Sequence, residues 1–132
     1  MDKLLFGTAG IPIGTEPRNT LEGIKHINTL GLGAMELEFV QSVNISEKTA
    51  PFVKATAESE GIVLTCHGQY FINLCSLEQH KIEASIQRIL NAARRLWQCG
   101  GYSMTFHPGF YQGRSSEKVY PEVKGALKKV ID

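Results

Sequence analysis

Residues 34–40 read AMELEFV, and in them Met35, Leu37 and Phe39 alternate with Glu36 and Glu38. Alternation with a period of two is the mark of a β-strand, whose successive side chains point to opposite faces. Two more runs share it. In residues 62–67, Leu64 and Cys66 alternate with Thr65 and His67; in residues 102–107, Tyr102, Met104 and Phe106 alternate with Ser103, Thr105 and His107. A fourth, shorter apolar run occupies residues 3–7. Each run is followed by a longer segment of helical character, residues 20–30, 46–60, 76–98 and 116–131.

Local signals support these helices. Asn19 precedes Glu22 by three positions and Ser76 precedes Gln79 by three, the spacing of a capping box. Gly31, Gly61 and Gly100 fall where helices end. In the third helix Ile82, Ile86, Ile89, Ala93 and Trp97 are expected on one apolar face. Short connections between alternating strands and helices imply a parallel sheet with right-handed crossovers. A doubly wound sheet, covered on both sides, calls for strands apolar throughout. These strands have one apolar face and one polar face, and burying the polar groups under helices without partners is costly. The pattern therefore predicts an α/β fold, a parallel (β/α)4 half of a TIM barrel, with four strands alternating with four helices over a single domain of residues 1–132. A complete (β/α)8 barrel takes about 250 residues. SEKTAP (46–51) and SEKVYP (116–121) stand after the second and fourth strands and hint at an internal repeat.

Composition sets the outer limits. The 132 residues are 42% apolar and 20% charged, with a formal net charge of +1, which excludes a strongly basic whole-molecule field. No apolar run approaches the roughly 18 residues of a membrane span, and the first residues lack a signal-peptide pattern. Cys66, Cys75 and Cys99 are odd in number and have no C-x-x-C spacing. They predict reduced thiols in a cytoplasmic protein rather than a disulfide frame.

In barrels and open α/β sheets, functional groups collect at the C-terminal ends of strands. The four expected strand ends are Gly7, Glu38, His67 and His107. Adjacent parallel strands lie about 4.8 Å apart, so imidazoles at neighbouring ends reach one metal ion, whose bonds to nitrogen are about 2.0–2.1 Å. A single histidine at a strand end is most often a capped, hydrogen-bonded one; two at matched positions on the polar face favour metal binding. Glu38 stands as a third ligand or a hydrogen-bonding partner of the ligands, or equally as a carboxylate paired with a neighbouring cation. Gly68 and Pro108-Gly109 are expected to turn the chain away and leave room for substrate. His26 and His80 are expected to be solvated on helix faces. Of the loop aromatics, Phe71 and Phe110 are expected to pack on the rim, while Tyr70 and Tyr111 are open to stacking on a sugar or base.

FGTAGIP (6–12), MELEFV (35–40), CHGQYFINL (66–74) and FHPGFY (106–111) resemble archaeal endonuclease IV, the apurinic/apyrimidinic (AP) endonucleases of the xylose isomerase-like TIM barrel superfamily. The resemblance covers essentially the whole chain and only the N-terminal half of such enzymes. It implies a zinc-dependent DNA-repair phosphodiesterase, a hydrolase that cuts the backbone of DNA at abasic sites with a cluster of three zinc ions. By motif match His67 and His107 are ligands of one zinc, and Tyr70 and Asn73 line the DNA-facing site. The family's remaining ligands lie on later strands, so the resemblance implies a chain catalytically incomplete by itself that lacks a C-terminal half; separately, the two bare edges of an open four-stranded sheet predict a homodimer, two halves closing one barrel. The loop QSVNIS (41–46) departs from the bacterial pattern, having no arginine and no aromatic to wedge into a duplex. Two alternatives stand beside this: a metal-dependent sugar isomerase or epimerase of the same superfamily, with its metal held mainly by carboxylates, and a non-catalytic half-barrel that works as an assembly module.

Overall fold

The computed structural model describes residues 3–131. Strands β1 (Gly7–Ala9), β2 (Ala34–Glu38), β3 (Val63–His67) and β4 (Ser103–Thr105) alternate with helices α1 (Thr20–Thr29), α2 (Ala50–Glu60), α3 (Gln79–Gln98) and α4 (Ser116–Ile131). The sheet is parallel in the order β1-β2-β3-β4. Sequential order with one hand of crossover puts every helix on the same side, and the alternation in the strands follows. Met35, Leu37, Leu64 and Cys66 are buried under the helices, whereas Glu36, Thr65 and His67 are half-exposed on the other face. The architecture is half of a (β/α)8 barrel. Among the described residues no helix is long and apolar enough to cross a membrane.

Two apolar clusters hold the layers together. The larger joins α1, α2 and the end of α3 to β2 and β3, with Ile24, Phe39, Val53 and Leu64 at or near zero exposure. Burying such a side chain contributes roughly 1.5–3 kcal/mol. The smaller cluster packs Ile72, Leu74, Ile86 and Ile89 with Ala126 of α4, and Met104 touches both.

Several boundaries differ from the sequence-based expectation. β1 begins at Gly7 instead of ending there, because Gly7 pairs with Ala34 and a Cβ on it would fall 2.0 Å from the Ala34 carbonyl oxygen. Only glycine allows the two strands so close. Ser46–Thr49 form a turn before α2, with the Thr49 N–H donating to Ser46 Oγ at 3.1 Å. The SEK of SEKTAP thus precedes its helix while that of SEKVYP lies within α4, and the two segments are not equivalent. Asn19 caps α1 as expected, accepting from Glu22 N–H at 3.0 Å. Ser76 does not cap α3; it accepts from Glu78 N–H and the helix starts only at Gln79. The buried stripe of α3 runs through Ser85, Ile86, Ile89, Ala92 and Leu96, which leaves Ala93 half-buried and Trp97 76% exposed.

Candidate functional site

Register fixes the height of each group on the polar face. Ala9, Glu36, Thr65 and Ser103 form one row across the sheet. The next row on that face holds Glu38, His67 and Thr105. His107 is not level with His67, as the sequence suggested; it stands two residues beyond Thr105, outside the ladder. The two imidazoles still meet. Their ring centres are 5.3 Å apart, tilted by 51°. Tyr70 completes a three-ring group, 5.5 Å from His67 and 6.4 Å from His107. Its backbone N–H is tied to the Val40 carbonyl at 3.0 Å.

The His67 ring is held from behind. Its Nδ1 lies 2.7 Å from the Gly68 carbonyl oxygen. A carbonyl only accepts, so Nδ1 carries the proton, and in the neutral ring Nε2 keeps a free lone pair. That is the arrangement by which proteins orient a metal-binding histidine. His67 is half-buried and His107 exposed, so a ligand reaches both from the open face.

Glu38 does not join the pair. Its carboxylate faces β1, where a Cβ on Gly10 would lie 2.9 Å from Oε2. It lines a separate cleft of about 260 Å³ with Glu36, Arg18, Gln41 and Asn44. Among the described residues no three His, Cys, Asp or Glu side chains converge as a metal cage. Asn73 is half-buried, and its amide oxygen accepts from Cys75 N–H at 3.3 Å.

The glycines after the two histidines also serve the packing of the loops. A Cβ on Gly68 would sit 3.1 Å from that of Phe106, and one on Gly109 would sit 2.7 Å from Asn73 Oδ1 and 2.9 Å from Cys75 Sγ. Both let the β3–α3 and β4–α4 loops pack side by side. Phe71 and Phe110 do not pack on the rim; like Tyr111 they are more than half exposed. His26 is not simply solvated. Thr15 Oγ1 lies 2.8 Å from both the Pro12 carbonyl and His26 Nδ1. The hydroxyl has one hydrogen and gives it to the carbonyl, so the ring donates to Thr15 and ties the β1–α1 loop to α1.

An uncharacterized protein of Methanocaldococcus jannaschii is 40% identical over 129 residues, which cover 98% of this chain and 45% of that protein. Endonuclease IV from Thermus thermophilus superposes with a TM-score of 0.69 at 18% identity, over 98% of this chain and 48% of that one. D-Psicose 3-epimerase from Clostridium cellulolyticum superposes with a TM-score of 0.74 at 14% identity, over 97% and 47%. At those identities the two structures share the fold alone. The chain spans under half the length of each of these three proteins. The family model described as xylose isomerase-like TIM barrel matches residues 24–132. The chain therefore belongs to the xylose isomerase-like TIM barrel family.

Proposed function

We propose that this chain is part of a zinc-dependent phosphodiesterase that cuts DNA at abasic sites, with His67 and His107 as two ligands of one zinc ion. The observation that carries the reading is the pair itself: two imidazoles 5.3 Å apart on the open face, one with Nδ1 tied to the Gly68 carbonyl. Imidazole suits zinc, and a four-coordinate zinc takes two such nitrogens as half its shell. The other ligands come from outside the described residues. Zinc, when bound, supplies a Lewis acid for a phosphate oxygen and an acidified water. The chain's own residues hold and orient: His67 through Gly68, His107 from the loop beyond β4, and Tyr70, a residue 47% exposed with its ring beside both, where an unstacked sugar or base can rest. The motifs CHGQYFINL and FHPGFY support the nuclease reading. A sugar epimerase reading calls for carboxylates at the metal, and Glu38 stands apart from the pair.

Two measurements test this together. Elemental analysis of zinc-loaded chain is expected to give about one zinc per chain, set by the single two-histidine site, and His107→Ala is expected to lose it. The zinc-loaded chain should also bind a duplex with one tetrahydrofuran abasic analogue at least about tenfold more tightly than the intact duplex, a difference of about 1.4 kcal/mol. Zinc content unchanged by His107→Ala, or equal binding of both duplexes, overturns the proposal. Epimerisation of a ketohexose by the loaded chain moves the assignment to the sugar enzymes.

A further inference from the structure

His107 lies past the last paired residue of β4, so the sheet does not fix its distance from His67. Beyond the ladder, hydrogen bonds join the two loops. Directly after His107, the Pro108 carbonyl accepts from Leu74 N–H at 2.8 Å. The Cys75 thiol hydrogen is shared between the Phe110 carbonyl and Asn73 Oδ1, each 3.3 Å from Sγ. Asn73 Oδ1 also accepts from Cys75 N–H. Asn73 N–H in turn donates to Ser85 Oγ at 2.9 Å, and that hydroxyl donates to the Lys81 carbonyl within α3. A continuous path of hydrogen bonds thus runs from α3 through Asn73 and Cys75 to the turn that carries His107. Gly109 leaves the space the path occupies.

We infer that Asn73 is a positioning residue for His107, acting through Cys75 and the Pro108–Phe110 backbone, and that this seam sets the spacing of the two imidazoles. The inference rests on the reading of those imidazoles as a metal pair, and it deepens that reading by naming what holds the pair. Partners that orient a metal ligand typically carry a 10–100-fold share of affinity. Asn73→Leu keeps the side chain's shape and removes the acceptor. Asn73→Asp keeps an oxygen in the same place.

The experiment has one metal-dependent and one metal-free arm. Cobalt(II), read by its visible absorption, probes affinity. The nuclear Overhauser effect between the His67 and His107 ring protons, measured without metal, probes spacing. Far-UV circular dichroism and the urea midpoint check the fold of each variant. In Asn73→Leu the expected result is a cobalt Kd about tenfold weaker and a ring-to-ring effect reduced several-fold. In Asn73→Asp both should stay within roughly twofold of the parent. A folded Asn73→Leu that keeps both signals overturns the inference, as does Asn73→Asp losing as much as Asn73→Leu. If Asn73→Leu does not fold, Gly109→Ala disturbs the seam from the opposite loop and is judged by the same two signals. If the parent chain binds no cobalt, the metal reading falls, and the metal-free arm alone decides the positioning role.

Discussion

Cys66 and Cys99 are fully buried, and burial pushes their thiols up from an ordinary 9.0 to about 12 and about 11. The folded chain therefore keeps both protons above pH 9, where the unfolded chain releases them. Between pH 9 and about 11 the folded state binds more protons, so stability falls as pH rises through that window and is unaffected below it. Urea midpoints at pH 8 and at pH 10.5 should show a larger drop for the parent than for the Cys66→Ala/Cys99→Ala variant; equal drops would mean that these thiols do not carry the effect. Cys75 illustrates the limit of reading residues from sequence. That His67 and His107 come together was legible because both close alternating runs on the polar face, although His107 falls beyond the end of β4. The Asn73–Cys75–Gly109 seam was not, because its bonds join positions up to 35 residues apart and each residue has an ordinary local explanation. Asn73 has the polarity of a loop, Cys75 the size of a core filler, and Gly109 the look of a turn. His26 was misread for the same reason, since its partner Thr15 is set by the path of a loop.

Asn19 and Ser76 show the same difficulty for whole elements. Both have a polar side chain three positions before Glu or Gln, yet only Asn19 caps a helix. Ser76 is followed by two residues that stay outside α3, with Glu78 extended at φ −110°, ψ 113°. Asn19→Ala should cost about 1 kcal/mol and lower the helical signal of the chain, while Asn19→Asp should cost little; an unchanged urea midpoint in Asn19→Ala would remove the cap from the account. The stripe of α3 was centred wrongly because the large apolar side chains dominate a periodicity count, whereas small Ser85 and Ala92 are among its most buried residues. The single tryptophan reports this directly. Trp97 is 76% exposed, so its emission should resemble that of indole in water and shift little on unfolding. A clear red shift in urea would place it back on the buried face.

For the molecule as a whole, alternation along β2, β3 and β4 was enough to predict an arc of barrel with one open polar face, since that pattern fits no sheet covered on both sides. The arc leaves two strands, β1 and β4, each paired on one side only. Unpaired strand edges invite another strand. Close to them stand Leu4, Phe6 and Tyr102, exposed by 75%, 69% and 72%. We propose that a second copy of this chain pairs with those edges. Two arcs related by a two-fold axis along the barrel set β4 of each beside β1 of the other, both parallel, and the ring closes without further growth. The net charge of +1 offers little repulsion between copies. Light scattering on the chain should therefore show a mass rising with concentration toward twice 14.6 kDa and no further. Phe6→Lys, which puts a charge at the β1 edge, should return it to the monomer. A mass of 14.6 kDa at the highest attainable concentration would mean that the edges are satisfied without a second copy, and a mass that climbs past the dimer would mean that they associate without closing.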